Sequence, residues 1–510
     1  MDPPEHSSRP VLVVGAGPTG LFLALWLKKL GVSVRLIDRS TGPGETSRAF
    51  VVHARTLEIY QQLGMADALV AKAEKITSIA LRCQGKLMGM ANMANAGVGL
   101  TPFPFALAFT QDEHERYLID RLEAVGVHVE RETELITYKQ LADGVHVTLR
   151  GPKGSQEDIA VSYIAGCDGA RSIVRQQAEI ELPGGTYAQR FFVLDADALE
   201  KPTANTINVC YTTTDFCAMI PLDRKDGVRM VGVVPSHMDS DDIRFEDVEV
   251  QVRHTTGVDI KHARWFSTYR IHHRVANSFR DRRVFILGDA AHLHSPVGGQ
   301  GLNTGIGDAW NLGWKLASVL SDRSSSALLD TYEQDRMPFA RLLVNTTDWF
   351  FTLIQDTGVR GWLMRSIILT YIAPLFFMLS AVPRVIFRKS SQIQVSYRDS
   401  PLSEGSAGSV RGGDRLPWVS MGESDNYSPL RQLDWQIHVY GSATSEVREL
   451  AKSRDIRLHE FVWTTAAATA GLKQDATYLI RPDGYIGLVD GNADVAVLRS
   501  YLERWGIRSF

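Results

Sequence analysis

The clearest hydrophobic pattern in the chain runs from Val11 to Asp38. Four consecutive apolar residues, Val11 to Val14, predict a buried parallel strand. Leu21 to Leu30 continues as an apolar helix, and Val32 to Ile37 predicts a second strand that ends at Asp38. A strand, a helix and a strand in this order predict the opening of an α/β domain.

Three glycines lie between the first strand and the helix, with the spacing G-x-G-x-x-G. Gly15 allows a tight turn, Gly17 has no Cβ to keep a pyrophosphate away, and Gly20 lets the helix pack closely. Asp38 follows Gly20 by eighteen residues, where an acid accepts hydrogen bonds from a ribose. The pattern predicts a dinucleotide site, with the helix N-terminus facing the phosphates, and favours FAD or NAD over a 2′-phosphorylated nucleotide.

Further helices and strands are predicted up to residue 180. Helices are expected from about His53 to Leu63 and from Glu113 to Val125, and a hairpin from the runs Val145 to Leu149 and Ile159 to Ile164. Arg48 and Arg55 flank the start of the first of these helices. Without further information, both are interpreted as part of a solvated basic face.

The pattern then changes to short runs of strand type separated by turn residues. These runs predict a mostly antiparallel sheet over 181–279. They are Arg190–Leu194, Thr206–Thr212, Cys217–Pro221, Arg229–Val234 and Arg264–Ile271.

A buried-strand pattern returns after Arg283 as VFILGDAAH, and a helix follows from about Gly307 to Leu320. The dinucleotide domain is therefore predicted to be discontinuous, over 1–180 and 280–395. Ser396 to Asn426 is rich in Gly, Ser and Pro and predicts a linker. Beyond it, strands and helices between Gln436 and Trp505 predict a small α/β domain, assigned to 400–510.

Composition limits the classes of function. The chain has 510 residues, 44% of them hydrophobic and 22% charged, which fits several ordinary globular domains. A net charge of −3 gives no footprint for nucleic acid. Four scattered cysteines without a C-x-x-C pair favour neither a metal site nor a disulfide framework, so a reducing, cytoplasmic location is expected.

One stretch late in the chain is strongly apolar. Ser366 to Pro383 has no charged residue over eighteen positions, close to the length of a membrane span. Pro374 and Pro383 interrupt it. We therefore expect buried helices, or an apolar rim over a lipophilic site, rather than contact with a membrane.

Three motifs lie in order along the chain. They are GAGPTG from Gly15, CDGARS from Cys167, and GDAAH from Gly288, which continues as SPVGGQGLNTGIGDAWNLGWKLA. Together they resemble the FAD-dependent aromatic hydroxylases with the p-hydroxybenzoate hydroxylase fold. The phenol and polyketide hydroxylases are the most similar branch, and they carry a thioredoxin-like C-terminal domain without redox cysteines. The resemblance covers nearly the whole chain.

The resemblance implies which residues bind FAD. Asp289 would bind ribityl hydroxyls, and the glycines after Pro296 would present backbone N–H groups to the flavin pyrimidine. Asp168 belongs to a motif linked to both FAD and the nicotinamide. The alternative role for Asp168 is that of an aspartate in an Asp-Gly turn. The alternative role for Asp289 is that of a helix cap. The cofactor-binding candidates are Gly15, Gly17, Pro18, Thr19, Gly20, Asp38, Arg39, Arg48, Gln111, Asp168, Asp289, Gly299, Gly301, Leu302 and Asn303.

The resemblance also suggests Arg48, Tyr269 and Pro296 as catalytic residues. The alternative for Tyr269 is a tyrosine in the core of a strand. Where the phenol hydroxylases have an aspartate that acts near the substrate, this chain has Phe50, which puts the phenol-activating base in doubt. His272 and His273 are adjacent on a predicted strand, so at most one of them faces the pocket.

The resemblance implies an FAD-dependent monooxygenase of secondary metabolism that uses NAD(P)H, with NADPH favoured, and O2. It would hydroxylate a small aromatic, phenolic or polyketide-like substrate through a flavin C4a-hydroperoxide. Two alternatives stay open: a Baeyer–Villiger or epoxidation reaction on the same fold, and a non-catalytic FAD-binding carrier of lipophilic molecules. The third domain suggests an interface role, so a homodimer is also open.

Overall fold

The computed structural model describes residues 9–44, 50–199, 203–222, 227–235, 238, 242–295, 298–355, 358–377, 379 and 381–508, and the side chains of 347–355 are left aside. Within these ranges the chain forms three large sheets with helices packed around them. The mixed α/β architecture agrees with the fold class expected from the sequence.

The first large sheet contains the predicted strand Val11–Val14, which is buried throughout. All of its strand pairs are parallel except one at its edge. Its order is Arg280–Asp281, Val284–Ile286, Tyr163–Gly166, Val11–Val14, Val34–Ile37 and Val129–Glu130. The chain thus returns to this sheet after residue 280, next to Tyr163–Gly166.

Helices cover this sheet because their apolar faces are buried against it. Trp26 of the first helix stacks on Trp310 with ring centroids 4.2 Å apart, and Gly313 leaves room for it, since a Cβ there would lie 2.2 Å from Trp26 Cδ1. The helices are Pro18–Lys29, Ala54–Gln62, Ala66–Lys72, Gln111–Glu123, Ile173–Gln177, Gln300–Leu320 and Thr331–Gln355.

The predicted strand Ile159 to Ile164 is in fact two strands. Gln156–Val161 pairs with Val145–Arg150 in a small antiparallel sheet, whereas Tyr163–Gly166 joins the parallel sheet. Ser162 separates them, and its N–H donates to Pro10 O at 2.9 Å. An unbroken apolar run conceals this change of sheet. The smaller sheets also include Glu134–Gln140, and Val51–Val52 with Ala106–Ala108 and Glu74–Ile76.

The second large sheet contains every strand predicted between 181 and 279. It is antiparallel except where Thr206–Tyr211 meets Ser78–Cys83. Two of its strands come from before residue 181, so the sheet extends beyond the expected range. Helix Phe245–Thr256 packs on it. The strand order is His292–Leu293, Ile260–Val275, Gly184–Ala198, Gly227–Val233, Phe216–Pro221, Thr206–Tyr211, Ser78–Cys83 and Lys86–Asn92.

The third large sheet lies at the C-terminal end. The stretch 396–426 is not a linker, because Glu404–Ala407 pairs in parallel with Ile486–Asp490, and Leu402 and Leu416 are buried. A Cβ on Gly405 would lie 1.9 Å from Val489 O, so a glycine serves close packing here rather than flexibility. The strand order is Val410–Arg411, Glu404–Ala407, Ile486–Asp490, Thr477–Ile480, Gln436–Tyr440 and Arg457–Phe461. The helices are Ser445–Ser453, Thr465–Thr469 and Val495–Trp505.

The apolar stretch before Pro383 forms helices that are largely exposed, so the expectation of buried helices was wrong, and an apolar rim over a lipophilic site stays a prediction. The helices are Val359–Leu363, the π-helix Met364–Ile372, Ala373–Phe377 and, beyond a bend, Ala381–Ser390. Among the described helices, none is long and apolar enough to cross a membrane alone. The bent pair Val359–Phe377 and Ala381–Ser390, at 109°, passes that test jointly by length and composition.

Candidate functional site

The glycine turn after the first strand is fixed by sterics at two of its three glycines. Gly15 has φ +101°, and a Cβ there would lie 2.4 Å from Cys167 O. A Cβ on Gly20 would lie 1.9 Å from Gly15 O. At Gly17, by contrast, a Cβ would meet no atom within 4 Å. The turn therefore keeps open space at the position where a phosphate group was expected to approach.

Gly17 borders a cavity of about 610 Å³, which we call the flavin cavity. Its walls come from the glycine turn, the start of helix Gln300–Leu320 and the strand Ile260–Val275. The structure brings together many of the residues singled out in the sequence. Those that line the cavity are Gly17, Pro18, Thr19, Gln111, Tyr269, Asp289, Gly299, Gly301 and Leu302.

Helix Gln300–Leu320, here named the platform helix, begins at the cavity. Gly298 and Gly299 precede it with φ of +79° and +63°, a conformation that favours glycine. A Cβ on Gly299 would also lie 2.8 Å from Val51 Cβ. No described side chain caps the helix, so its first-turn N–H groups and their partial positive charge face the cavity.

The side chain of Asn303 does not line the flavin cavity. Its Oδ1 accepts from the His53 N–H and from the Thr56 hydroxyl, both at 2.8 Å. Its Nδ2 donates to Val51 O at 2.9 Å and to Gly299 O at 2.8 Å. Asn303 therefore fixes the glycine run against a neighbouring strand and helix, and its side chain has no capacity left for a ligand.

Asp289 follows the strand Val284–Ile286 and lies at the cavity, exposed. The backbone beside it is held from below, because Asp308 accepts from the Gly288 N–H at 3.0 Å. Asp308 also contacts His292 at 2.7 Å and accepts from Arg336 Nε at 2.7 Å. Burial alone would raise the pKa of Asp308, but these partners outweigh it and lower the pKa. Asp308 is thus a charged support beneath the GD motif.

Asp38 ends the second strand as predicted, and its carboxylate reaches the glycine turn. Oδ2 accepts from the Ala16 N–H at 2.6 Å, and Oδ1 accepts from the Ser40 N–H at 2.8 Å. Arg131, which the sequence did not indicate, lies 3.8 Å from Oδ1. Arg39 is exposed beside it, outside the cavity lining.

Asp168 caps a helix, although its neighbours Cys167 and Gly169 line the cavity. Its Oδ2 accepts from the N–H groups of Ile173 and Val174, at 2.7 and 3.2 Å. Burial raises its pKa, and these hydrogen bonds oppose that shift. The side chain therefore orients the CDGARS loop from behind.

The wall opposite the glycine turn is aromatic. Tyr269 is half-buried, packs 6.0 Å from Phe191 and faces the cavity. His272 lines the cavity and contacts the Thr186 hydroxyl through Nδ1 at 2.7 Å. His273 instead packs on Tyr187 at 4.7 Å, so only one of the two adjacent histidines faces the cavity, as alternation predicts.

Two histidines near the glycine run, the buried His53 and the half-buried His294, were not predicted. His53 Nε2 contacts Gly298 O at 2.8 Å, and burial lowers its pKa to about 4. His294 lines the cavity, and burial lowers its pKa to about 4 as well. The H-x-H spacing at His292 and His294 was the only sequence signal. Arg48 and Pro296 lie outside the described residues.

The C-terminal domain supports the platform helix through the turn Pro482–Asp483–Gly484. Trp310 and Trp314 both donate to Asp483, to its backbone O at 2.9 Å and to Oδ2 at 3.0 Å. Arg55 also donates to Asp483 O, at 2.8 Å. Arg55 is 4% exposed, so its interpretation as part of a solvated basic face was wrong.

A buried ion network lies beside this turn. Arg481 donates to Asp483 Oδ2 at 2.6 Å and to Asp335 Oδ2 at 2.8 Å. Lys315, on the platform helix, donates to the same Asp335 oxygen at 2.8 Å. Burial lowers the pKa of Lys315 to about 8. We refer to these four residues as the anchor.

A family model described as FAD binding domain matches residues 8–347. The chain belongs to this family of flavin monooxygenases. The 6-methylpretetramide 4-monooxygenase of Streptomyces rimosus is 31% identical, over 98% of this chain and 94% of that enzyme. The expectation of an FAD-dependent aromatic hydroxylase family is confirmed.

Two solved structures share the fold. The anhydrotetracycline hydroxylase OxyS from Streptomyces rimosus is 27% identical, with a TM-score of 0.78 over 98% of this chain and 99% of OxyS. The Diels-Alderase PyrE3 of pyrroindomycin biosynthesis is 26% identical, with a TM-score of 0.75 over 98% of this chain and 99% of PyrE3. The same fold therefore carries more than one named chemistry.

The flavin monooxygenase cofactor fits the residues present. A Cβ at Gly17 would occupy open space in the cavity, whereas the two flanking glycines are filled by protein. Two helix N-termini, at Pro18 and Gln300, open onto the same space. Such termini suit a pyrophosphate at one end and an electron-rich ring at the other.

Proposed function

We propose that this monooxygenase uses FAD and NAD(P)H to hydroxylate an aromatic, phenolic or polyketide-like substrate. The observation that carries the proposal is the flavin cavity itself. It opens between a glycine turn suited to a dinucleotide and the aromatic face of the second large sheet at Tyr269. The 6-methylpretetramide and anhydrotetracycline enzymes, both named for polyketide substrates, support the substrate class.

The cofactor would be held along one side of the cavity. Gly17 and Thr19 would face the pyrophosphate and Asp289 the ribityl chain. The side chain of Thr19 packs closely against Gly288 and Gly305. A Cβ on these glycines would lie 2.8 and 2.2 Å, respectively, from Thr19 Oγ1. Gly301 and Leu302, in the first turn of the platform helix, would face the pyrimidine ring and stabilise negative charge there. Asp38 would reach the ribose, as the sequence suggested.

The chemistry supplied by bound FAD is acceptance of a hydride from NAD(P)H and activation of O2. The protein's own contribution is orientation and the exclusion of water. Tyr269 and His272 form a wall against which an aromatic ring packs. His294, neutral at pH 7 because burial lowers its pKa to about 4, adds no charge to the cavity.

The substrate would enter beside Phe50. This residue lines both the flavin cavity and a second cavity of about 300 Å³ whose apolar lining includes Phe109 and Trp265. In the lining of the second cavity, Arg229 donates to both Asp195 oxygens, at 2.7 and 2.6 Å. The two cavities together give space for a ligand larger than a single phenol.

NAD(P)H, with NADPH favoured, would bind transiently from solvent, because the sequence contains no second glycine motif after a strand. Reduction would then depend on substrate, which limits wasteful formation of peroxide. We expect the correct substrate to accelerate NAD(P)H oxidation by at least about tenfold, or about 1.4 kcal/mol of barrier. Arg48 and Pro296 stay proposed participants.

The deciding experiment is a product assay on the FAD-loaded chain against a panel of phenols and polyketides under ¹⁸O2. We expect one labelled oxygen atom on an aromatic carbon, together with NAD(P)H consumption. Oxygen inserted into a carbon–carbon bond would indicate Baeyer–Villiger chemistry. Conversion without label or NAD(P)H loss would place the chain with the Diels-Alderase. Bound ligand without conversion would indicate a carrier.

A further inference from the structure

The helices between Val359 and Val385 present a large apolar surface to solvent. Among the described residues, twenty large apolar side chains are more than a third exposed, and ten of them lie in this short stretch. Soluble monomers rarely expose contiguous apolar patches of this kind unless another surface covers them. We call the ten residues the apolar surface: Val359, Trp362, Leu363, Ile367, Tyr371, Ile372, Leu375, Phe376, Leu379 and Val385.

This surface is fixed to the protein along its inner side. Arg365 is buried and donates to Thr213 O at 2.7 Å, and Thr370 contacts the Tyr211 hydroxyl at 3.3 Å. Pro374 packs so closely on Gly89 that a Cβ on this glycine would lie 2.8 Å from Pro374 Cβ. The helices are therefore docked on the edge of the second large sheet, and their outer side chains face away from it.

The charged residues within this stretch of the chain have one sign. From Val359 to Lys389 the sequence contains five basic residues and no acidic residue, in a chain whose net charge is −3. Arg360, Arg384, Arg388 and Lys389 are exposed. Exposed cations at both ends of a run of exposed apolar side chains complement a surface that is apolar inside and negatively charged outside.

We propose that the apolar surface rests on the face of a bilayer that contains anionic lipids. Helices with an apolar face and basic flanks lie in the interfacial plane, with the apolar side chains in the acyl boundary and the cations at the phosphates. Trp362 and Tyr371, 51% and 66% exposed, are the side-chain types enriched at such interfaces. The contact is peripheral.

A second copy of the chain fits the same surface less well. In a two-fold contact each patch meets itself, so the four exposed cations of one copy would face those of the other. Like charges placed across an interface oppose association. The charge pattern therefore favours lipid phosphates over self-association.

The test is flotation of the FAD-loaded full chain with phosphatidylcholine vesicles, with and without phosphatidylglycerol. We expect binding only to the anionic vesicles, and we expect it to weaken as NaCl is raised. Equal flotation without phosphatidylglycerol, or no flotation with it, overturns the proposal. A dimer seen by light scattering that Leu375→Asp dissociates, without vesicle binding, would assign the surface to self-association instead.

Two matched pairs of variants separate the contributions. Arg360→Glu combined with Lys389→Glu should reduce partitioning into anionic vesicles by at least about tenfold, since each basic residue contributes about 1 kcal/mol. The control is Lys452→Glu with Arg499→Glu, exposed residues of the C-terminal domain, which should leave it unchanged.

Leu375→Asp, 65% exposed, should likewise abolish binding, and its control is Val462→Asp, 80% exposed. Bound FAD, measured by absorbance, verifies that each variant is folded. Equal binding by a surface variant and its control would contradict the assignment.

Discussion

The flavin cavity is supported from two sides that are built on different principles. At the glycine turn, shape decides: Gly15 is required by the close backbone of Cys167, Gly20 by that of Gly15, and Gly17 borders open space. At the anchor, charge decides: Arg481, from the C-terminal part of the chain, forms buried ion pairs with Asp483 of the same part and with Asp335, which also pairs with Lys315. The first side joins two loops that both carry sequence motifs, GAGPTG and CDGARS, whereas the ion pairs of the second side leave no motif in the sequence.

The largest effect is expected from a substitution that disrupts the anchor. Arg481→Met leaves Asp483 buried without its cation, so the free energy of unfolding should fall by about 3–5 kcal/mol. Denaturation followed by tryptophan fluorescence measures it. Arg454→Met, which removes a surface pair with Glu503, should cost less than about 1 kcal/mol. Equal losses in the two variants would mean that the anchor contributes no more than a surface ion pair.

The next largest effect is expected from a substitution in the glycine turn. Gly17→Val places a side chain in the open space of the cavity, so FAD affinity should fall at least about a hundredfold, or roughly 2.7 kcal/mol. The fold should survive, because φ at Gly17 is −75°. Equilibrium dialysis of FAD measures the change, with Gly42→Val, outside the cavity lining, as the control. A variant that retains stoichiometric yellow flavin contradicts the assignment.

A third experiment uses pH to test His53, which contacts the glycine run before the platform helix. The folded pKa of His53 is lowered to about 4, so between about pH 6.5 and 4 the unfolded chain binds its proton more readily. Stability is therefore lost as pH falls through this window, by about 2 kcal/mol between pH 7 and pH 5. His53→Asn should remove that part of the pH dependence. His128→Asn, at an exposed position, should not.

The smallest expected effect concerns a single ligand contact. Asp289→Ala should weaken FAD binding by about tenfold, or roughly 1.4 kcal/mol, if its carboxylate accepts from ribityl hydroxyls. Dialysis of FAD measures this too, with Asp120→Ala on an exposed helix face as the control. Unchanged affinity would show that the carboxylate serves only the turn around it.

The sequence predicted the structural features that depend on residues close to one another along the chain. Strand Val11–Val14, the glycine turn and helix Ala54–Gln62 could be inferred because periodicity and turn chemistry act over a few positions. The hydrogen-bond partners of Arg55 and Asn303 could not be inferred, since they lie hundreds of residues away in the sequence. Gly and Ser between 396 and 426 suggested flexibility, whereas tight packing of Gly405 against Val489 explains the glycine there.

The anchor also sets an order of events during synthesis. Asp483 emerges from the ribosome 180 residues after Asn303. At roughly 5–20 residues per second, roughly 10 to 40 s pass between them. For the later part of this interval, Lys315 on the platform helix and Asp335 on helix Thr331–Gln355 have emerged without Arg481, the partner of Asp335 from the C-terminal part of the chain. During this interval the nascent chain exposes an incomplete interior of the kind that chaperones bind. A messenger truncated before codon 481 would yield a polypeptide that contains the cofactor-binding residues but lacks Arg481 and Asp483.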